Sequence, residues 1–146
     1  MHEIEVAAVD SPHQPIADQA HQYLATDGAE VDHPYADRLI LLYVTGRTSG
    51  VVRRVPLVSV PDGDDLIIVA SKGGAPDHPA WYRNLASDPR VWVRNRSDFY
   101  EAEAIVLKGD ERTAAWGRMV EAMAFFDGYE KKTNRVIPVI RLVRSS

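Results

Sequence analysis

Apolar residues along this chain come mostly in short runs and alternations, cut at close intervals by turn residues. Leu39 to Thr45 (LILLYVT) is a compact apolar run, closed by GRTSG and followed by Val51 to Val60 (VVRRVPLVSV), rich in β-branched residues. Two such runs around a glycine-bearing turn predict a hairpin. Pro56 lacks an amide hydrogen, which puts it at an edge, at a bulge, or where the backbone faces something other than a strand, such as a ligand. Asp62-Gly63 marks the next turn and Leu66 to Ala70 (LIIVA) the next strand. Val91-Trp92-Val93 and Phe99 to Leu107 alternate as two more strands around the turn NRSD, and Val136 to Val143 (VIPVIRLV) returns to β character.

Helical spacing is confined to three stretches. Ile16, Ala20, Tyr23 and Leu24 recur on one helix face, with Gly28 placed where that helix would stop. Pro79 suits a first helical turn and Pro89 should end the short helix that it opens. Asp110 is a candidate N-cap for the strongest helix, in which Ala115, Trp116, Met119, Val120 and Met123 form an apolar stripe. The sum is about six antiparallel strands and about three helices without βαβ alternation, an α+β, mainly β barrel with helices attached. Residues 1–15 are acidic at the start and lack a persistent pattern, so they are read as a flexible or loosely docked arm ahead of one domain at 16–146.

Composition narrows the function. A formal charge of −4 gives no general attraction for phosphate backbones, and no basic stripe with interleaved aromatics offsets it, so nucleic-acid binding is disfavoured. Cysteine is absent, which removes disulfides, thiolate nucleophiles and cysteine-based metal sites and fits a reducing compartment. No apolar run is long enough to span a membrane and the first residues lack the regions of a signal peptide, so the expectation is a cytoplasmic protein. The five histidines occur singly and Ser71 lies outside a nucleophile elbow, so neither a metal site nor a catalytic triad is expected.

What remains is cations beside glycines: Arg47 in the hairpin turn, Arg53 and Arg54 after it, and Lys72 in ASKGGAPDHPAWYRNL (70–85). Glycines let backbone N–H groups approach an anion closely, arginine offers a planar fork of donors and lysine a point charge. The alternative is that these turns are basic only for solvation. Trp81 is either core or a ligand contact, Asn84 either helix surface or a contact on the same face, and Tyr129 either an exposed loop residue or a hydroxyl facing a pocket.

TGRTSG, R-x-x-P-L (Arg53 to Leu57), the 70–85 block and YEKKTNRVIP (129–138) together make the chain resemble the deazaflavin-dependent nitroreductase family, over roughly Asp37 to Val143. The resemblance implies a split β-barrel related to FMN-binding oxidases, and reduced coenzyme F420 as hydride donor to a quinone or a similar conjugated or nitroaromatic acceptor. It places Arg47, Thr48 and Arg53 at the anionic phosphate and glutamate tail of the cofactor, and Lys72 at the bend of its groove. Val55, Pro56 and Leu57 then lie along the deazaflavin ring, Ala70, Ser71, Gly73, Gly74 and Ala75 form the opposite wall, and Trp81 and Asn84 close the site. Met123, Phe126 and Tyr129 match the acceptor pocket, with Ser71 and Tyr129 as the groups that hydrogen-bond the acceptor.

Thr48 stands where the family usually carries a cation, which leaves one tail contact missing or replaced by Arg54. Only one acceptor-pocket tyrosine remains, which favours a planar quinone over bicyclic nitro compounds. An FMN-dependent reductase of the same fold and a non-catalytic F420 carrier, closed to acceptors by Met123 and Phe126, are the competing readings. The implied assembly is a monomer or homodimer with at most transient membrane contact.

Overall fold

Along β1 (Leu39–Thr45) the side chains alternate between two apolar environments, which is why its sequence is an unbroken apolar run. Ile40, Leu42 and Val44 point into one core with Val91, Val93, Ile68 and Leu142, while Leu39, Leu41 and Tyr43 pack on Ala20 and Tyr23. The structure, a computed structural model, describes residues 1–145. With β2 (Val52–Val58), β3 (Val60–Asp62), β4 (Asp65–Val69), β5 (Arg90–Asn95), β6 (Asp98–Val106) and β7 (Val139–Arg144), β1 forms one sheet of order β2-β1-β5-β6-β7-β4-β3. Every strand pairing in it is antiparallel.

The two edges of this sheet, β2 and β3, are consecutive in sequence and separated by Ser59 alone. The sheet must therefore curl until its edges converge, giving a barrel split along that seam. At the corner the Ser59 N–H donates to the Arg38 carbonyl at 2.8 Å and the hydroxyl to the same oxygen at 3.2 Å. The stretch read as one strand, Val51 to Val60, thus serves two, so the sheet has seven strands where about six were expected.

Among the described residues five α-helices surround the barrel: α1 (Glu3–Ala7), α2 (Gln14–Thr26), α3 (Ala80–Ser87), α4 (Gly109–Ala122) and α5 (Phe125–Lys132). α4 and α5 cover a second core in which Met119, Met123 and Phe126 meet Ile67, Val69 and Val139. Asp110 is not the N-cap of α4. Lys108 is, and Asp110 lies in the first turn, where its charge favours the helix dipole. α5 was not expected; burial of Phe126 holds it, and the exposed Lys131–Asp127 pair at 2.8 Å adds only a little. The last strand starts at Val139, and Val136 is exposed.

The N-terminal residues differ most from the sequence expectation. Rather than a loose arm, residues 2–10 lie against the barrel, and Val9 pairs in parallel with Arg53, its N–H donating to Val52 O at 2.9 Å. Arg54 grips Asp10 through Nε at 2.7 Å and Nη2 at 2.9 Å, and Arg94 holds the Glu5 carboxylate at 2.9 Å. Glu5 is 3% exposed and also accepts from the Tyr43 hydroxyl, so the anchor is a set of charge-assisted hydrogen bonds rather than an apolar stripe. Periodicity could not register it.

Candidate active site

The seam of the barrel opens into a groove of about 930 Å³. One wall is β2. The N–H of Arg54 and the carbonyl of Val52 point away from β1, where Val9 takes them, and strand alternation gives Pro56 the same outward direction. Its missing donor therefore costs the sheet nothing, and Val55, Pro56, Leu57 and Val58 remain half-exposed along the groove. A run of partly uncovered apolar residues on an edge strand is a surface built for something flat and apolar.

The opposite wall is the bend after β4. Lys72, Gly73 and Gly74 have φ of 48, 61 and 80°, three successive left-handed residues that turn the chain back toward α3. Gly74 has a second constraint, since a Cβ there would sit 2.9 Å from the Tyr129 carbonyl and from Lys132 Cβ. The bend is thus moulded onto α5. Ser71, Lys72 and Gly73 face the groove, whereas Ala70 is fully buried and Gly74 and Ala75 do not line it. Lys72 is exposed and meets only the exposed Asp77 at 3.2 Å, a pair that contributes little to stability.

From α3, Trp81 and Asn84 reach the groove, with Trp81 also packed on the barrel core. Asn84 Oδ1 accepts from the Arg47 N–H at 3.2 Å and from Arg47 Nη1 at 2.8 Å, so Arg47 ties the hairpin turn to α3. Neither Arg47 nor Thr48 lines the groove. Arg53 does, and its guanidinium has no ion-pair or hydrogen-bond partner among the described residues. Arg54 cannot stand in for the cation missing at Thr48, because Asp10 engages it. Burial raises the Asp10 pKa, but the hydrogen bonds and charges of Arg54 and, less strongly, His21 outweigh it and leave the carboxyl below its usual range.

An aromatic panel completes the site. Tyr35 and Tyr129 each lie 5.4 Å from Phe125, and Phe126 is 5.6 Å from Tyr129 in an edge contact. Met123, expected in this pocket, is instead fully buried in the core beneath α4, because the chain leaves α4 there and turns its side chain inward. It cannot close the groove to an acceptor. Sequence reasoning missed Tyr35 and Phe125, which only the packing of α5 against the α2–β1 connection brings together, and the contribution of Asp10, Ser11 and Pro12 from the N-terminal segment. Among the described residues no helix is long and apolar enough to cross a membrane.

An uncommitted arginine, an exposed lysine on a glycine bend and an apolar edge strand, all on one groove, suit a flat apolar ring that carries anionic substituents. Split barrel and groove together define a small-molecule-binding protein whose ligand lies along the seam of the barrel. The family model for F420H(2)-dependent quinone reductases matches residues 16–144, and the chain belongs to that family, with coenzyme F420 as its cofactor. The Mycobacterium tuberculosis protein Rv3178 is 40% identical over 103 residues, covering 70% of this chain and 87% of that one. The F420H(2)-dependent quinone reductase Rv1261c of the same organism is 34% identical over 127 residues, 84% of this chain and 85% of the relative. Among solved structures, an F420-H2 dependent reductase (FDR-A) superposes with a TM-score of 0.68 at 39% identity, covering 72% of this chain and 93% of that chain.

Proposed function

We propose that this enzyme reduces a quinone, or a similarly flat conjugated carbonyl compound, by two electrons taken from reduced F420. The observation that carries the reading is the sharing of one groove by an unpaired cation, an uncovered apolar strand and an aromatic panel. When bound, the cofactor supplies a hydride. The chain supplies position: Arg53 and Lys72 bind the anionic tail, and Val55, Pro56 and Leu57 lie along the ring. Ser71 and Gly73 form the wall opposite, and Trp81 and Asn84 close the groove from α3.

The acceptor stacks against Phe125 and Tyr129, where aromatic faces fit a planar ring. The Ser71 and Tyr129 hydroxyls donate hydrogen bonds to its carbonyl oxygen, on which negative charge grows as the hydride arrives. One hydride and one proton complete the hydroquinone, the proton reaching that oxygen from solvent through the same hydroxyls. No covalent nucleophile is needed.

Anaerobic mixing of reduced F420 with menadione tests this reading. Catalytic amounts of the protein should accelerate reappearance of oxidised F420 absorbance well above the enzyme-free rate. A panel of quinones that gives no acceleration at all would overturn it.

A further inference from the structure

Arg135 lies in the loop between α5 and β7 and is half-buried, yet no acidic side chain pairs with it among the described residues. Its guanidinium is spent on the bend that faces the groove. Nη2 donates to the Ser71 carbonyl at 2.6 Å, Nη1 to the Ala70 carbonyl at 3.1 Å, and Nε to the Ala75 carbonyl at 2.8 Å. Nη1 also meets His78 Nδ1 at 3.0 Å. One planar fork therefore spans both ends of the left-handed segment Lys72–Gly74, whose own backbone bonds are only Gly74 N–H to Ser71 O at 2.9 Å and Ala75 N–H to Lys72 O at 3.1 Å.

A non-glycine residue at φ of 48° is strained, and Lys72 holds that geometry only if its neighbours impose it. The two glycines permit the bend without enforcing it. Gly74 is pressed against α5, but nothing lies within 4 Å of a Cβ built on Gly73, so packing constrains one end alone. The fixed donor geometry of arginine constrains both, which a lysine with one freely rotating ammonium could not do.

We propose that Arg135 is the positioning residue of this site, holding the Ser71–Ala75 bend in the shape that presents Ser71, Lys72 and Gly73 to the cofactor. That it presents them to F420 rests on the function proposed above; that it holds the bend does not. The clamp has a proton-dependent member. For Nδ1 to accept from Arg135, His78 must be neutral with its proton on Nε2. Burial, then the charges of Arg135 and Arg83, lower its pKa against the opposing pull of Asp77, and Tyr82 packs on the ring at 4.9 Å. Protonation below the ordinary histidine range would set two cations face to face.

The test is amide hydrogen exchange of the full chain without cofactor, corrected for the intrinsic pH dependence, together with F420 titration. Arg135→Ala should speed exchange at Gly74 and Ala75 by about tenfold or more, leave Leu42 in β1 unchanged, and weaken F420 binding by a similar factor. Arg135→Lys should recover part of both effects. In the wild type, exchange at Gly74 and Ala75 should rise only as pH falls well below the ordinary histidine value of about 6.5, and His78→Ala should flatten that rise. Arg141→Ala, which removes pairs with Asp62 and Glu111 far along β7, should leave the bend untouched. Exchange at Gly74 and Ala75 within twofold of wild type in folded Arg135→Ala overturns the proposal; if that variant does not fold, a flat wild-type pH profile does so. Wild-type protein that fails to bind F420 while the exchange results hold would overturn the function and not the clamp.

Discussion

A single side-chain oxygen, Oδ1 of Asn84, accepts both the backbone N–H and the guanidinium of Arg47 and so fastens the hairpin turn between β1 and β2 to helix α3. Asn84 is 4% exposed and Arg47 is exposed, so the tie runs from the protein surface to a buried acceptor on the groove side of α3. Asn84→Ala removes both hydrogen bonds at once. The expected cost is about 1–3 kcal/mol, read as a lower urea midpoint at unchanged slope, with a weaker F420 affinity because α3 is no longer held to the turn. Arg47→Ala should reproduce most of the affinity loss if Arg47 acts through Asn84.

Arg53 should behave in the opposite way. Exposed and without a protein partner, it contributes little to folding, so Arg53→Ala should leave the unfolding midpoint nearly unchanged. F420 affinity should fall by about tenfold, the loss expected for one charge-assisted contact. Raising the salt concentration should weaken wild-type binding more steeply than that of the variant, because screening removes what the mutation has already removed.

Apart from β3, which the sequence reading merged with β2, the strands were legible because they place apolar residues at alternate positions or in short runs between turn residues. The bend after β4 was legible in Gly73 and Gly74. Most of the polar structure escaped for one reason: it depends on long-range pairing. Arg54 with Asp10 and Arg94 with Glu5 dock the N-terminal segment, and Arg135 with three carbonyls shapes the bend, yet an arginine in a polar stretch looks solvated until its partner is known. Met123 failed for a different reason. It falls on the apolar stripe of α4, and the break between α4 and α5 decides whether it faces core or groove.

Two glycines with similar backbone angles should respond differently to alanine. At Gly50 φ is 73° and nothing lies within 4 Å of a Cβ, so Gly50→Ala carries only the left-handed penalty of about 1 kcal/mol. At Gly74 φ is 80° and the new methyl meets the Tyr129 carbonyl at 2.9 Å. Gly74→Ala should therefore cost about 1–3 kcal/mol more than Gly50→Ala in chemical denaturation, adding overpacking to the angle, and should weaken F420 binding where Gly50→Ala does not.

Acid should loosen the N-terminal segment through Asp10. Its folded pKa is depressed by Arg54 and, less strongly, His21, so the stability that it contributes is present above pH of about 4 and is lost as pH falls through the folded value. Asp10→Asn should lower stability at neutral pH by about 1–3 kcal/mol, leaving a nearly buried Arg54 without its counter-charge, and should reduce the slope of stability against pH in the acid range. Equal slopes for the two proteins would remove Asp10 as the cause.

The most direct measurement of the account is a paired equilibrium titration of the purified protein with F420 and with FMN, followed by ligand and tryptophan fluorescence. The groove predicts saturable binding of F420, with Trp81 fluorescence perturbed and affinity reduced in Arg53→Ala, and markedly weaker binding of FMN. Tighter binding of FMN than of F420, or F420 binding that is indifferent to Arg53, would contradict the assignment of this groove.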